Sequence, residues 1–533
     1  MIYGILLLAD VDNATSSIQL TRGGLIALTV ALLIYLFGLV ALSLFATKKV
    51  ETEEDYLVAG RRLPLFLAWG TLLATWYGAA SMMGASQAAR DSGLIGVILD
   101  PFACAVTLVL SGMFFAVPLW EMKLLTIADF YRIKYGVKSE ITSCLIQVPS
   151  YFGWIAAQYI ALGAVMHAYY NIPLKYGILI GAGVTLFYTM IGGMWSVTLT
   201  DTAQIVVALA GLVVLAYSTF TQLGNSVAGT PSFQAGWDVF MNYAEANPEK
   251  FTLWPTAGLA SYMAWIGAWS TGLFGNLPGQ DLNQRIFSSK DSWTARWACI
   301  LAGVVYLIFG LIPVTLGLIS NITHPHDIEG KILPVMAGTF LSPAMAVIFV
   351  VSFVSIVVST ATSAVLAPAT ILGHNLLGRV KFFQGHHLLL DRVCVLLISL
   401  GGLFMAFSGE SIMGLLDVSL SIALAALFIP LAMGIYGKPR GEMSGVLSMV
   451  LGFIFWITRY AVEKMIYSLP EGSELDYHDY LASLCPVETA GAFLHQCVLW
   501  YGVIPADLQG MFASLLGYFL GQWICGRPPK TTT

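Results

Sequence analysis

The chain has 533 residues, of which 57% are hydrophobic and only 10% charged, and its formal net charge is −5. Soluble domains carry about 25% charged residues, so this composition excludes a soluble globular protein and indicates one embedded in a lipid bilayer. No basic patch is interleaved with aromatic residues, so we expect no nucleic-acid partner.

A membrane-spanning helix needs roughly 20 mostly apolar residues. The fold class predicted on this basis is an all-α polytopic membrane protein with about thirteen transmembrane helices. In chain order they are predicted at 23–46, 63–90, 93–120, 140–170, 173–193, 197–222, 257–283, 293–319, 337–374, 391–408, 411–436, 443–467 and 508–526.

The positions of Lys and Arg predict the orientation, because cytoplasmic loops collect positive charge. If the N-terminus is outside, most of the 25 Lys and Arg residues face the cytoplasm. Those left outside are Arg22, Arg90, Lys175, Lys250, Lys331, Arg459 and Lys464. We therefore expect a multi-pass protein of the plasma (inner) membrane, with an external N-terminus at 1–22 and a cytoplasmic tail at 527–533. The loop 468–509 is then external, and its Cys485 and Cys497 are either a disulfide or two free thiols.

Two predicted helices contain residues that interrupt a helix. The second contains a small and polar patch from Leu73 to Ser81, and the seventh contains Asn276, Pro278 and Gly279. Proline removes a backbone donor in mid-helix. Interrupted helices at corresponding positions of two halves mark the central site of many transporters. The alternative is a pair of ordinary kinked helices with small residues at packing faces.

The ninth predicted helix carries four hydroxyl groups within five residues, Ser359, Thr360, Thr362 and Ser363. A single Ser or Thr in such a helix usually bonds to a carbonyl of its own helix. A cluster of four can instead supply oxygen ligands to a hard cation such as sodium.

Short motifs along nearly the whole chain resemble those of the sodium/solute symporter family. They are the residues 55–61 and 188–204, the group Gln280, Gln284 and Arg285, and the pair Ser359 and Thr360. The resemblance implies a LeuT-like fold of two inverted five-helix repeats with flanking helices. The implied repeats are 63–222 and 257–436, preceded by the helix 23–46 and followed by two further helices within 443–526.

The resemblance also implies sodium as the one bound ion, with no organic cofactor. One site would lie where the broken helix meets the hydroxyl-rich helix. Its ligands would be the carbonyl oxygens of Ala74, Tyr77 and Ile356 and the hydroxyls of Ser359 and Thr360.

Some family members have a second sodium site, whose pattern fits Asp201, Ser359, Thr362 and Ser363 in this sequence. The alternative for Asp201 is a helix cap at an inward loop.

The choline-transporter branch of the family resembles this chain at Trp76 and Trp154, whose aromatic faces suit a quaternary ammonium group. The chain departs from the pattern of this branch at two positions: Gly279 stands where the branch has a tryptophan, and Cys104 stands where it has a tyrosine.

Three more residues, Asp100, Gln280 and Asp281, are candidates for binding the solute. Asp100 and Asp281 are predicted inside the membrane, where a charge is costly and usually functional. Asp281, next to Gln280, would bind an ammonium or hydroxyl group, or else pair with Arg285. Asp100 would bind the solute, or else be a turn residue before Pro101.

We therefore predict a sodium-coupled symporter, not an enzyme, that imports a small organic solute by alternating access. The solute predicted from these residues is a quaternary ammonium or other amine-bearing compound. The alternatives are a symporter of the same fold for a sugar, amino acid or monocarboxylate, or, from other classes, a solute sensor, an intramembrane transferase or a channel. The sequence leaves the oligomeric state open.

Overall fold

The computed structural model describes residues 22–47, 51–191, 193–256, 258–324, 328, 330–380, 387–409, 411–467 and 503–525. The described chain is helical, and its β contact is an isolated bridge between Leu63 and Ser289. Cys485, Cys497 and the predicted cytoplasmic tail lie outside the described residues.

Fifteen helices within the described residues carry the argument below. In chain order they are α1 (Arg22–Thr47), α2 (Leu65–Trp76), α3 (80–92), α4 (104–121), α5 (Val137–Tyr170), α6 (Leu174–Thr189), α7 (Met194–Ala228), α8 (Gly258–Gly275), α9 (Gln280–Ser288), α10 (Ser292–Thr323), α11 (Pro343–Ile371), α12 (His387–Ala406), α13 (Ile412–Tyr436), α14 (Glu442–Tyr467) and α15 (Ala506–Ile524). Shorter helices at Glu53–Val58, Ile127–Lys134, Phe233–Ala246 and Ile332–Phe340 lie between them.

Eight helical stretches of the described chain are long and apolar enough to cross a membrane. Every one of the thirteen predicted segments overlaps a helix, but the total of thirteen spans stays a prediction. The predicted start of the ninth span at 337 is wrong, because Leu341 and Ser342 separate a short helix from α11. Pro343 occupies the first turn of α11, a position that suits proline because its nitrogen needs no hydrogen-bond partner there.

From Ser352 onward, helix α11 lies inside the bundle. All of its residues from Ser352 to Ile371 are buried, and it packs against α1, α2, α5 and α7. Its hydroxyl groups are therefore surrounded by protein, where they can act as ligands or hydrogen-bond donors.

The second predicted span is divided into α2 and α3. The backbone leaves the helix at Tyr77, with φ −82° and ψ 79°. The N–H of Ala79 donates to Oε1 of Gln158 on α5 at 2.9 Å. Ser81 Oγ lies 3.2 Å from the carbonyl oxygen of Trp76. This irregular backbone is buried in protein, the condition under which it is tolerated at membrane depth.

The seventh predicted span is divided into α8 and α9 around Pro278. The amide nitrogen of Asn283 donates to the carbonyls of Leu277 at 2.9 Å and Gly279 at 2.7 Å. Gln147 on α5 donates to the carbonyl of Pro278 at 2.5 Å. Side chains thus satisfy the carbonyls that the interruption frees, which stabilises a second buried break.

Candidate functional site

The first break lies directly against α11. Thr360 Oγ1 donates to the carbonyl of Ala74 at 3.0 Å. A Cβ at Gly78 would stand 2.7 Å from Thr360 Oγ1, so only glycine permits this approach. Tyr77 and Ile356, the other carbonyl donors expected for sodium, are fully buried. The structure therefore brings one predicted hydroxyl ligand to one predicted carbonyl ligand.

Ser359 faces another partner, the carboxylate of Asp201. Its hydroxyl donates to Oδ1 at 2.5 Å, and Thr71 Oγ1 donates to Oδ2 at 2.7 Å. Asp201 is buried and lies seven residues after the first residue of α7. The alternative of a helix cap for Asp201 is therefore wrong, because a cap lies at the start of a helix.

A buried guanidinium, that of Arg285 on α9, adjoins the second group of predicted sodium ligands. Its Nη2 lies 3.9 Å from Asp201 Oδ2 and donates to Ser363 Oγ at 2.6 Å. Thr362 instead donates to the carbonyl of Val358 in its own helix at 2.8 Å. Asp201, Ser359 and Ser363 are thus close to Arg285, whereas the Thr362 hydroxyl is bonded within α11.

Arg285 does not pair with the carboxylate of Asp281. Its Nη1 donates to the backbone carbonyl of Asp281 at 3.2 Å, and its ion pair within the described chain is with Asp201. The alternative of an Asp281–Arg285 side-chain pair is therefore wrong.

A cavity lies between the two breaks. It is lined by residues of α5, α8, α10 and α13 as well as those around the breaks. Four of the predicted solute-binding residues, Trp76, Asp100, Trp154 and Asp281, line it. Gln280 does not; its Oε1 accepts from the N–H of Ile127 at 2.8 Å.

Asp281 is held at the lining by two neutral donors. Trp76 Nε1 donates to Oδ2 at 2.7 Å, and the Tyr151 hydroxyl donates to Oδ1 at 2.6 Å. The Trp154 ring packs against Tyr151, with 5.9 Å between ring centroids. A carboxylate and three aromatic side chains therefore share one part of the cavity.

Asp100, like Asp281, accepts hydrogen bonds from two neutral donors. Ser81 Oγ donates to Oδ2 at 3.0 Å, and the Tyr306 hydroxyl donates to Oδ1 at 2.7 Å. The backbone of Asp100 is extended before Pro101, with φ −144° and ψ 122°. Asp100 therefore lies at a turn and lines the cavity, which combines the two alternatives considered for it.

The described cavity lining contains no Lys, Arg or His side chain. Neither Asp100 nor Asp281 forms an ion pair with a described basic side chain. Cys104, where the choline branch has tyrosine, lines the cavity beside Asn276, whose Nδ2 lies 3.5 Å from Sγ. The site thus holds two carboxyl groups, each with neutral hydrogen-bond donors around it.

Sequence reasoning missed several residues of this site. Tyr151 could have been found, because it lies three residues before Trp154 and so shares its helix face. Gln158 carries the same signal, because it lies four residues after Trp154, whereas Tyr306 is an isolated polar residue in an apolar part of α10. Only the packing of α10 and α5 on the first break brings them to the site.

The profile of the sodium:solute symporter family matches residues 56–452. The chain belongs to this family. It is therefore a sodium-coupled solute symporter and a multi-pass integral membrane protein, not an enzyme.

Three relatives that are named for a substrate share about a quarter of their aligned residues with this chain. High-affinity choline transporter 1 of Drosophila melanogaster is 26% identical over 446 residues, 79% of this chain and 69% of the relative. The human high affinity choline transporter 1 is 26% identical over 461 residues, 82% of this chain and 76% of the relative. The sodium/pantothenate symporter of Haemophilus influenzae is 22% identical, over 80% of this chain and 89% of the relative.

Solved structures show the same fold. A substrate-bound, outward-open sodium-coupled sialic acid symporter matches with a TM-score of 0.71 at 15% identity, over 95% of this chain and 99% of its own. Mhp1, a nucleobase-cation-symport-1 family transporter, matches with a TM-score of 0.50 at 14% identity, over 88% of this chain and 96% of its own. The family assignment and these likenesses establish the predicted LeuT-like fold.

Proposed function

We propose that this symporter couples sodium influx to the import of a small organic cation bearing an amine. The observation that carries the proposal is the charge of the cavity, which presents Asp100 and Asp281 without a described basic side chain in the lining. A buried carboxylate is costly unless an opposite charge or several donors compensate it. An ammonium group of the solute supplies that charge.

The aromatic residues near Asp281 favour the same class of solute. Trp76, Tyr151 and Trp154 present ring faces or edges to the lining, and a cation over such a ring gains about 0.5–2 kcal/mol. A monocarboxylate would instead meet two like charges, which is strongly unfavourable at a desolvated site. The choline transporters among the relatives support a cationic solute, although Gly279 and Cys104 remove two aromatic walls from the choline pattern.

We place the coupling sodium between the first break and α11. Its ligands are the carbonyl oxygens of Ala74, Tyr77 and Ile356 and the hydroxyls of Ser359 and Thr360. The contact of Thr360 with Ala74 and the absence of a side chain at Gly78 support this assignment. The ion ties the broken helix to α11 and so favours one arrangement of the two repeats.

The second group, Asp201, Ser359, Thr362 and Ser363, is a weaker candidate for sodium. The guanidinium of Arg285 already compensates Asp201 at 3.9 Å and donates to Ser363. A second sodium must therefore displace Arg285 from Asp201, so we assign coupling to the first site.

In the proposed cycle, the repeats 63–222 and 257–436 move against each other and expose the cavity to each side in turn. Each repeat begins with one of the broken helices that wall the cavity. An inside-negative potential contributes about 2.3 kcal/mol per positive charge per 100 mV, so a sodium and a cationic solute are both driven inward.

The test is uptake into proteoliposomes with and without an inward sodium gradient. We expect the gradient to stimulate uptake of a labelled primary amine such as butylamine, but not of a sugar or monocarboxylate. Asp281→Asn should lower amine uptake about tenfold or more, since it removes a charge partner of the solute. The matched control is Asp238→Asn, because Asp238 is exposed and does not line the cavity. Amine uptake that ignores sodium, or a preference for monocarboxylates, would contradict the proposal.

A further inference from the structure

The cavity contains two carboxylates in separate but matching environments. Asp281 accepts from Trp76 and Tyr151, and Asp100 accepts from Ser81 and Tyr306. The two groups are bridged by rings, because Trp76 packs edge-to-face on Tyr306 with 6.5 Å between centroids. Asp100 and Asp281 are 2% and 6% exposed, so solvent screens neither well.

The charges around the cavity do not balance. Arg285 lies outside the lining, 3.9 Å from Asp201 Oδ2, and its Nη1 donates to the backbone carbonyl of Asp281, so one guanidinium serves more than one buried carboxylate. Two negative charges then remain in the lining, both held by hydroxyl or indole donors that carry no charge. A solute with one ammonium group compensates one of them and leaves the other buried beside an apolar part of the solute.

We propose that the solute is a small linear dication, a diamine with one ammonium group on Asp281 and the other on Asp100. This inference rests on the proposed function, because it takes the cavity as the site of an amine. The methylene chain between the two ammonium groups lies along the contact of Trp76 with Tyr306. Zwitterionic amino acids fit less well, because their carboxylate finds no described basic partner in the lining.

The experiment uses full-length protein in proteoliposomes and measures sodium-driven uptake of labelled butylamine. Unlabelled 1,4-diaminobutane and unlabelled butylamine are compared as competitors, and the diamine series from two to six carbons is then tested. In the wild type, we expect 1,4-diaminobutane or a near homologue to compete at a concentration about tenfold or more below that of butylamine. The competition should depend on chain length, since the two carboxylates are fixed.

The substitution Asp100→Asn tests the second contact. It should lower the preference for diamine over butylamine by about tenfold or more, because the second ammonium loses its charge partner. Asp238→Asn should leave that preference unchanged. If Asp100→Asn does not fold, the wild-type competition series decides alone.

Equal competition by diamine and monoamine in the wild type would overturn the inference, as would a preference that Asp100→Asn does not change. Either result would leave the proposed function intact, because butylamine uptake would still follow the sodium gradient. Absence of sodium-driven uptake of any amine would instead remove the proposed function.

Discussion

Gly78 is the residue at which the first break and α11 come closest. A Cβ there would lie 2.7 Å from Thr360 and 2.8 Å from Gln158 Oε1. We expect Gly78→Ala to lower sodium-driven uptake about tenfold or more, because Thr360 is short, β-branched and buried and so cannot move aside. Gly183→Ala on α6 is the control, since nothing lies within 4 Å of its added Cβ. Wild-type uptake by Gly78→Ala would contradict this account of the break.

Single residues were predictable where their chemistry is unusual for a membrane helix. Asp100 and Asp281 are predictable because a charge at membrane depth is expensive, whereas Asp201 is implied by the resemblance to the family's second sodium site. Their partners were not predictable, since the hydroxyl of Tyr306 and the guanidinium of Arg285 reach them from distant parts of the chain. The proximity of Ser359 to Asp201 was implied by the family's second sodium pattern, and the structure shows it as a direct hydrogen bond between α11 and α7.

At the scale of elements, a buried carboxylate joins α5 to the segment that follows α11. Glu140 is fully buried, lies 2.5 Å from Arg379 Nη2 and accepts from Asn375 Nδ2 at 2.9 Å. We expect Arg379→Gln to lower the free energy of unfolding by roughly 1–3 kcal/mol, because it leaves a buried charge with poorer compensation. A thermal unfolding assay in detergent measures the change.

Lys138→Gln is the control for that substitution. Lys138 is largely exposed and lies 3.6 Å from Glu442, so its loss should cost about 0–1 kcal/mol. Equal unfolding temperatures for the two variants would show that the Glu140–Arg379 pair does not stabilise the junction.

The breaks were predictable as elements because glycine, proline and polar residues cluster there in otherwise apolar helices. The hydrogen bonds that stabilise the breaks were less predictable. Nothing in the sequence shows that Asn283 and Gln147 donate to the carbonyls left free around Pro278. The predicted start of the ninth span failed because Ile332–Phe340 is as apolar as α11, and hydropathy does not distinguish a short helix from the beginning of a long one.

At the scale of the whole molecule, the orientation in the membrane remains a prediction from Lys and Arg. Cys525 tests it, because it is exposed at the end of α15, whereas Cys104, Cys144, Cys299 and Cys394 are buried. In a background with Cys485 and Cys497 replaced by serine, a membrane-impermeant maleimide should label Cys525 in inverted vesicles. Labelling in right-side-out vesicles alone would place the C-terminal end of α15 outside and reverse the topology.

The fold class was predictable from composition and from motifs spread along the chain, since lipid permits few architectures. The charge of the cavity was not predictable from the sequence. It depends on which carboxylates line the cavity and on whether any basic residue lines it too. Arg285 illustrates this: the packing of α9 against α11 and α2 brings its guanidinium within 3.9 Å of Asp201.

The central claim is that sodium binds between the first break and the hydroxyls of α11, and binding of radioactive sodium to purified protein tests it most directly. Thr360→Ala should raise the half-saturating sodium concentration about tenfold or more, because it removes the hydroxyl that contacts the Ala74 carbonyl. Thr370→Ala should bind like the wild type, since Thr370 donates only to Leu366 in its own helix. Unchanged sodium binding by Thr360→Ala would contradict the account.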